Sequence, residues 1–503
     1  MGFETLESTR TLVLTKVFSS LRPVATAVAT AILVTTTTLQ PGLAQGPVSV
    51  ADLAEDLADA VVNISTSQTV QGQRSVPLPK VPDGSPFQEF FEEFFNQQNQ
   101  DEDRPRRVQS LGSGFVIDGT AGIIITNNHV IEGADEIVAN FNDGTKLTAE
   151  LIGTDEKTDI AVLKVTPEKP LVDVSFGDSD AIRVGDWVMA IGNPFGLGGT
   201  VTVGIVSARN RDINSGPYDN FIQTDASINR GNSGGPLFDM DGRVIGINTA
   251  IISPSGGSIG IGFAIPAKTA TRVIAQLREF GETRRGWLGV RIQEVTDEIA
   301  ESLDRGADTS GALVAGVTEN GPAEAAGIEP GDLILEFDGK PVPTMRELPR
   351  MVAESPIGKG VDVLVLRKGE EVSLQVELGR LEEAAVETDE LPKDSVVEDD
   401  QPVEREVLGM ILSDINDEAR EKFSIAEDVT GVLITEVAPG SSAEEKRIQG
   451  GDVIKEVAQE PVESAQDVID AVEALRKEGR RLALLLLSNE TGDLRYVPVR
   501  IED

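Results

Sequence analysis

A repeat in the C-terminal half of the chain, with a spacing of 120 residues, constrains the fold more than any other feature. Three short motifs recur at this spacing: Leu288-Gly289 with Leu408-Gly409, Gly311 with Gly431, and Gly331-Asp332 with Gly451-Asp452. Self-similarity at a fixed period indicates a duplicated structural unit. Each copy predicts two strands, a short helix, a Gly-Asp turn, a strand, a helix and closing strands. The sequence therefore predicts two similar domains, 284–380 and 405–503.

The stretch between the copies, 381–404, is predicted to be a solvated linker. It is strongly acidic, and Lys393 is its single basic residue. Runs of like charge repel one another and stay extended in water. Since the chain has 503 residues, about three domains are expected, and one of them must precede the repeat.

That first domain is predicted to be rich in β-structure. Between residues 110 and 265, short apolar runs such as 114–117, 160–163 and 187–191 alternate with turn signals. This spacing is typical of a barrel or sandwich. A single helix is predicted over 267–280. We place this domain at 45–283.

The composition excludes several classes of function. The formal net charge is −40, so binding of nucleic acid by a general basic surface is not expected. The chain has no cysteine, which excludes disulfides, thiolate zinc sites and a cysteine nucleophile.

Residues 1–44 have the three parts of a secretory signal peptide. Basic residues precede a mostly apolar stretch, 23–39, and small residues follow at Gly42 and Ala44. A retained membrane anchor is the alternative, but the stretch is shorter than a typical span of about 20 residues. We predict cleavage before Gln45 and no membrane span afterwards.

An irregular insertion, 68–109, is rich in Pro, Gln and charge. Within it Phe87, Phe90, Phe91, Phe94 and Phe95 follow the spacing of one helix face. Such a helix either docks on something else or packs on its own domain, and the pattern does not distinguish the two.

The candidate chemistry centres on Ser233, which lies in the glycine-rich segment 231–235. A serine needs a base to act as a nucleophile near neutral pH, and His129 is the only imidazole in the chain. A carboxylate should orient the ring, and Asp159 is the best candidate, ahead of Asp155 and Asp178.

Chain order separates the possible hydrolase folds. In α/β-hydrolases the histidine follows the serine, whereas no histidine follows Ser233 here. The order His129, Asp159, Ser233 is that of a chymotrypsin-like double β-barrel. No lysine has a context that favours a Ser-Lys dyad.

Four motifs in this order resemble the HtrA family of serine proteases, and in particular its periplasmic Do/DegP type with two PDZ domains. They are Thr126-Asn127-Asn128-His129-Val130, Asp159-Ile160-Ala161, Gly192-Asn193-Pro194-Phe195-Gly196 and Gly231-Asn232-Ser233-Gly234-Gly235-Pro236. The implied fold is mostly β, a chymotrypsin-like double β-barrel protease domain followed by two PDZ domains.

The resemblance implies a role for each matching residue. His129 would be the general base, Asp159 its orienting carboxylate and Ser233 the nucleophile. The oxyanion hole would comprise Gly231, Asn232 and Ser233, with the N–H groups of the first and last as donors. Ser227 would lie at the floor of the specificity pocket and Ile228 beside it, giving a shallow apolar pocket for small aliphatic residues; the alternative is that Ile228 is core.

The repeats resemble PDZ domains, whose signature loop takes a peptide C-terminus while the peptide adds a strand to the sheet. The loop of the first copy would be Trp287-Leu288-Gly289-Val290. The second copy has Arg447 where the first has Gly327, which puts its ligand binding in doubt. Family analogy assigns regulatory roles to Arg211 and to Phe90, Phe91, Phe94 and Phe95.

The resemblance therefore implies an ATP-independent serine endopeptidase of the periplasm that degrades misfolded proteins and is regulated by PDZ capture of free peptide C-termini. Homotrimers and larger assemblies are expected, and no metal or organic cofactor is implied. Two alternatives remain: a chaperone or holdase for unfolded envelope proteins, and a signalling protease with one membrane substrate.

Overall fold

Short apolar runs broken by Gly, Asn and Asp turns give this chain its many antiparallel strands. The computed structural model describes residues 49–70, 106–194, 199–229, 231–251, 258–381, 405–423, 425, 429–489 and 492–501. The predicted signal peptide, the phenylalanine helix and nearly all of the acidic linker lie outside these residues. The chain divides into a short unit, Met1–Asp52, and a large one, Leu53–Asp503, and the contacts described below lie within the large one.

The first half of the N-terminal domain is a seven-stranded antiparallel sheet in the order β5-β4-β1-β2-β3-β7-β6. Only Ala149 separates β5 from β6, so the two ends of the sheet belong to one bent strand and the sheet curls back on itself. Buried Val, Ile, Leu and Ala side chains fill its interior. The elements are α1 (Ala51–Ala58), β1 (Val61–Val70), β2 (Arg106–Asp118), β3 (Ile123–Thr126), α2 (Asn128–Ile131), β4 (Glu136–Asn140), β5 (Lys146–Thr148), β6 (Glu150–Asp155) and β7 (Ile160–Lys164).

The second half is a closed six-stranded barrel in the order β10-β13-β12-β11-β8-β9. Its elements are β8 (Trp187–Gly192), β9 (Thr200–Arg211), β10 (Phe221–Thr224), β11 (Pro236–Phe238), β12 (Val244–Ile251), β13 (Gly262–Pro266) and α3 (Ala267–Phe280). Helix α3 has the predicted bounds and ends at Gly281, whose φ of 75° permits the left-handed cap.

The first repeat forms a sheet in the order β15-β16-β17-β19-β20, with β18 on β17 and a separate β14-β21 pair. Its elements are β14 (Gly286–Trp287), β15 (Val290–Gln293), α4 (Asp297–Ser302), β16 (Ala312–Val317), α5 (Pro322–Ala325), β17 (Leu333–Phe337), β18 (Lys340–Pro341), α6 (Glu347–Ala353), β19 (Gly360–Arg367), β20 (Glu370–Glu377) and β21 (Gly379–Arg380).

The second repeat has the same order of elements as the first up to β20, but its first strand pairs differently. The sheet order is β22-β23-β24-β25-β27-β28, with β26 on β25. Its elements are β22 (Arg405–Val407), β23 (Met410–Asp414), α7 (Asp417–Phe423), β24 (Val432–Val437), α8 (Ser442–Glu445), β25 (Val453–Val457), β26 (Glu460–Pro461), α9 (Ala465–Lys477), β27 (Leu482–Ser488) and β28 (Leu494–Arg500). Within the described ranges, no helix is long and apolar enough to cross a membrane.

Candidate active site

His129 is held on a single helical turn directly after strand β3. Asn127 is extended, and α2 begins at the next residue. Val130 and Ile131 are buried in the core of the first sheet and anchor the turn. Because neighbouring residues of a short turn point in different directions, burial of these two side chains leaves His129 at the rim, with 17% of its side chain exposed.

Asp159 faces His129 from the residue before strand β7. Its φ of 55° is unusual for a residue with a side chain, and Asn127 Nδ2 stabilises this turn by donating to the Asp159 carbonyl at 2.7 Å. One carboxylate oxygen accepts the His129 backbone N–H at 3.0 Å and the other accepts His129 Nδ1–H at 2.7 Å. A carboxylate that holds both the backbone and the ring fixes the orientation of the imidazole and places the second ring nitrogen, Nε2, on the far side.

The electrostatics of His129 favour the protonated ring. Burial alone would lower its pKa, but the charge of Asp159, the hydrogen bond to Asp159 and the charge of Glu132 outweigh this effect and raise the pKa above its usual value. An imidazolium in contact with a carboxylate is the ion pair that forms when a histidine takes a proton from a nucleophile.

Thr249, in strand β12, is a member of this cluster that sequence reasoning missed. Its hydroxyl donates to Asp159 Oδ2 at 2.6 Å, on the oxygen that also faces His129 Nδ1. A threonine in a buried strand carries no sequence signal of such a role. The two alternative carboxylates are engaged elsewhere: Asp155 forms a buried ion pair with Arg285, and Asp178 accepts the backbone N–H of Asp180.

Ser233 lies on a tight turn that enters strand β11. Its carbonyl accepts the backbone N–H of Ser113 at 2.8 Å. The Ser113 hydroxyl donates to the Gly231 carbonyl at 2.5 Å and accepts the Asn193 N–H at 2.8 Å. A fully buried serine of β2 therefore fixes the segment on both sides of residue 232, a role that no sequence pattern indicated.

The turn packs directly against the segment that carries His129. A Cβ added to Gly234 would lie 2.2 Å from the Ser113 carbonyl, 2.4 Å from Thr126 Oγ1 and 3.0 Å from the Asn127 backbone nitrogen. Only glycine permits this approach, and its φ of 83° is equally restrictive. Ser233 is thereby brought beside the residues that immediately precede His129.

The backbone around Ser233 has a defined orientation. The Asn232 carbonyl accepts the Gly235 N–H at 3.0 Å, and in a planar trans peptide this directs the Ser233 N–H to the opposite side. The Asn232 N–H donates to the Asn229 carbonyl at 3.0 Å, and its side chain is buried. Gly231 has a φ of 100°. Asn232 thus holds the turn between the two predicted donors, Gly231 and Ser233.

The two predicted specificity residues differ in exposure. The Ser227 carbonyl accepts the Thr202 hydroxyl at 3.0 Å, and Ser227 itself is exposed. Ile228 is 1% exposed and packs in the core of the second barrel, where a Cβ on Gly262 would lie 2.8 Å from its Cγ1. Ile228 is therefore a buried side chain, and its predicted part in the specificity pocket stays a prediction.

In the first repeat, the loop 287–290 has its carbonyls turned inward. The Leu288 carbonyl accepts the Ala323 N–H at 2.9 Å, and the Gly289 carbonyl accepts the Thr318 N–H at 2.8 Å. The N–H groups of Gly289 and Val290 lie on the opposite side of these two peptide planes. Trp287 pairs with Gly379, and β15, which begins at Val290, is the edge strand of its sheet.

Arg211 lies at the end of β9, and its guanidinium donates to Gln223 Oε1 at 2.9 Å. The contact between this loop and the first repeat is made by the residues that follow. Arg346, immediately before α6, forms an ion pair with Asp212 and donates to Asn214 Oδ1 at 3.4 Å. Phe90, Phe91, Phe94 and Phe95 lie outside the described residues.

Three family models match the chain. A trypsin-like peptidase domain matches residues 112–247, and PDZ domains match 286–378 and 397–487. The chain is 43% identical over 475 residues to a DegP-like periplasmic serine endoprotease of Brucella suis biovar 1, covering 90% of each chain. The chain belongs to the HtrA family of serine endoproteases.

Further relatives agree with this assignment. A DegP-like periplasmic serine endoprotease of Rhizobium meliloti is 42% identical over 432 residues, covering 84% of this chain and 83% of the relative. The solved structure of the HtrA-type protease AlgW with a decapeptide is 44% identical, with a TM-score of 0.55, and covers 66% of this chain and 99% of its own. The predicted fold, a serine endopeptidase activity and a periplasmic location are confirmed.

Proposed function

We propose that His129, Asp159 and Ser233 form the catalytic triad of this endopeptidase. The observation that carries the proposal is the Asp159 carboxylate, which binds both the backbone N–H and the ring Nδ1 of the only histidine in the chain. The close packing of Gly234 on 126–127 supports it, since it brings the nucleophile to the same rim.

In the proposed reaction, Ser233 Oγ attacks the carbonyl carbon of the scissile peptide while its proton passes to His129 Nε2. Asp159 stabilises the resulting imidazolium through Nδ1–H. The N–H groups of Gly231 and Ser233 bind the oxyanion, and one such donor contributes about 10²- to 10³-fold in rate. His129 then protonates the leaving amine, and water releases the acyl group by the reverse sequence of transfers.

Casein hydrolysis by the wild type, Ser233→Ala, His129→Ala and the double variant tests this assignment. Residues that act as one unit lose activity non-additively, so each single variant should be as inactive as the double variant. Ser258→Ala, a serine outside the proposed triad, is the matched control and should retain activity. Casein cleavage by Ser233→Ala at the wild-type rate would refute the assignment.

The proposed substrates are unfolded or misfolded periplasmic proteins, cut after small aliphatic residues. Ser227 offers no carboxylate to bind a lysine or arginine side chain, and the neighbouring Ile228 is apolar and packs closely against Gly262. Mass spectrometry of casein fragments should show Val and Ala enriched at the cleaved position. Enrichment of Lys, Arg or large aromatic residues there would contradict this specificity.

The proposed regulation is capture of a free peptide C-terminus by the first PDZ domain. Its loop presents the N–H groups of Gly289 and Val290, and the adjacent edge strand β15 can accept a further strand. Leu348 and Val352 of α6 share one apolar cluster with Val290 and Ile292 of β15, so the groove lies between these two elements.

Arg346 would transmit occupancy of this groove to the protease domain. It precedes the helix that borders the groove and pairs with Asp212. A peptide that moves α6 changes this ion pair, and activation requires that the peptide bind the active arrangement more tightly than the resting one. Arg346→Ala should alter peptide stimulation of casein cleavage, while Lys359→Ala, which removes an ion pair with Asp338 inside the same PDZ domain, should not. Equal stimulation of the wild type and Arg346→Ala would exclude this route.

Assembly into homotrimers and larger particles is also proposed, and it rests on family membership. Light scattering coupled to gel filtration measures it directly, and a monomer at micromolar concentration would contradict it.

A further inference from the structure

The two PDZ domains differ in the partner of their first strand. In the first domain β14 pairs with β21, the last strand of the domain in the sequence, and β15 stays at the edge of its sheet. In the second domain the equivalent strand, β22, pairs with β23 instead, in the register Arg405↔Leu412, Glu406↔Ile411, Val407↔Met410. Strand β23 is the counterpart of β15 at the repeat spacing of 120 residues, so the edge that no other described strand covers in the first domain is covered in the second.

Strand β22 lies where a peptide ligand would add to the sheet. It runs antiparallel to β23 and ends beside the signature loop, as a peptide with its C-terminus in the loop would. Val407 takes the place of the last ligand residue. Its side chain packs against the apolar cluster that contains Val468 and Val472 of α9, the counterparts of the groove residues Leu348 and Val352.

The hydrogen-bonding groups of the edge are used by this strand. The Gly409 carbonyl accepts the Ala438 N–H at 2.8 Å. Met410 and Val437 are therefore a non-hydrogen-bonded pair, and the N–H and C=O of Met410 point away from β24 towards β22. The same geometry in the first domain leaves the Val290 N–H at the open edge. In the second domain the register places Val407 opposite Met410. The Met410 N–H, which would otherwise face the carboxylate of a bound peptide, therefore faces β22 of the same chain.

The loop has become a hairpin turn. Leu408 and Gly409 have φ values of 54° and 74°, the two positive values of a tight two-residue hairpin. In the first domain, by contrast, the Leu288 carbonyl accepts the Ala323 N–H. Within the described residues, the counterparts Leu408 and Ala443 do not form this hydrogen bond.

One sequence position accounts for the different pairing of the first strand in the two domains. A Cβ on Gly286 of β14 would lie 2.4 Å from the Val352 carbonyl of α6, so only glycine can pass the helix there. The counterpart in the second domain is Glu406. A glutamate cannot occupy the space beside the helix, and in β22 its side chain is exposed. Arg405 then donates a hydrogen bond to Gln466 in the first turn of α9, which secures the start of the strand.

We propose that Arg405–Val407 is the resident ligand of the second PDZ groove, so that free peptide C-termini bind only to the first PDZ domain. The proposal builds on the capture of peptide C-termini proposed above. It predicts one peptide site per chain in the full-length protein and a second site once β22 leaves the groove.

Hydrogen exchange on the full-length Ser233→Ala protein tests this proposal without cleavage of the probe. The probe is a peptide with the sequence of residues 401–407 and a free carboxyl end. At saturation, amides of Val290–Gln293 should gain protection and those of Met410–Asp414 should not change, with one peptide bound per chain by calorimetry. Protection of Met410–Asp414 by the probe would overturn the proposal. Absence of protection at Val290–Gln293 would instead refute capture by the first domain.

Val407→Asp should expel β22, because it places a carboxylate against the apolar cluster. The number of bound peptides should rise from one to two per chain, while Glu406→Ala, which keeps the Val407 anchor, should still bind one. A Val407→Asp protein that loses exchange protection at Arg405–Val407, keeps it at Leu482–Ser488 and still binds one peptide would overturn the proposal.

A second variant covers the case in which Val407→Asp unfolds the domain. Because the chain lacks cysteine, a Glu406→Cys, Ile411→Cys pair introduces a single disulfide across β22 and β23. The oxidised protein should bind one peptide with the affinity of the reduced protein. A tenfold or larger loss of affinity on oxidation would show that β22 must leave for binding, contrary to the proposal.

Discussion

Removal of the Thr249 hydroxyl should slow catalysis without weakening substrate binding. In Thr249→Val the branched shape is kept but Asp159 Oδ2 loses the donor at 2.6 Å. A hydrogen bond to a charged group contributes about 1.5–3 kcal/mol. Because the Asp159 side chain is 27% exposed, water compensates part of this loss, and the lower end applies. About 1.4 kcal/mol in the transition state corresponds to about tenfold in rate.

The effect should appear in kcat rather than KM, since the hydroxyl contacts the carboxylate that orients His129 and not the substrate. Steady-state cleavage of a fluorogenic peptide, normalised to the fraction labelled by a fluorophosphonate, separates the two constants. Thr249→Ser keeps the hydroxyl and is the matched control, expected within about threefold of the wild type. The reasoning fails if Thr249→Val retains the wild-type kcat, or if Thr249→Ser is impaired as strongly.

Three other perturbations have expected outcomes. Glu132→Gln removes a charge that raises the pKa of His129. Catalysis needs the neutral ring and is lost as pH falls through this pKa, so the acid limb of the kcat/KM profile should move to lower pH. A shift of the acid limb to higher pH would contradict this. Ser113→Ala removes two hydrogen bonds that hold residues 231 and 193. It should raise the activation free energy of cleavage by about 1–3 kcal/mol, measured as a lower kcat per active site. Asp155→Asn breaks an ion pair whose side chains are 4% and 7% exposed and should lower the free energy of unfolding by about 3–5 kcal/mol, whereas Asp186→Asn in an exposed pair should cost under about 1 kcal/mol in urea titrations.

The sequence led to His129, Asp159 and Ser233 as the proposed triad because composition left few choices, and the structure shows the contact between the first two. With a single imidazole in the chain, the base needed no selection, and the order of the residues then favoured one fold. The geometry now adds a reason for Asp159 over Asp155, since the latter is bound to Arg285. That distinction depends on a contact between residues 130 positions apart, which no local pattern contains.

Thr249 and Ser113 could not be predicted for a related reason. Each acts through a single hydroxyl on a strand whose other features are those of ordinary core. The pattern of apolar residues predicts that a strand is buried, but it does not predict which buried hydroxyl faces a carboxylate or a carbonyl of another strand. Arg211 shows the same limit: family analogy pointed to this residue, whereas the ion pair with the PDZ domain is made by its neighbour Asp212.

The two PDZ domains show how one position can serve two purposes in a duplicated fold. The counterpart of Arg346 in the second domain is Gln466. In the first domain this position precedes the groove helix and pairs with Asp212 of the protease domain; in the second it binds Arg405 of the inserted strand. A groove that is filled by its own chain does not change on addition of a peptide. Gln466, the position that could pass such a change on, binds Arg405 rather than the protease loop. Both changes follow from the same asymmetry, so peptide signals should reach the triad through the first PDZ domain alone.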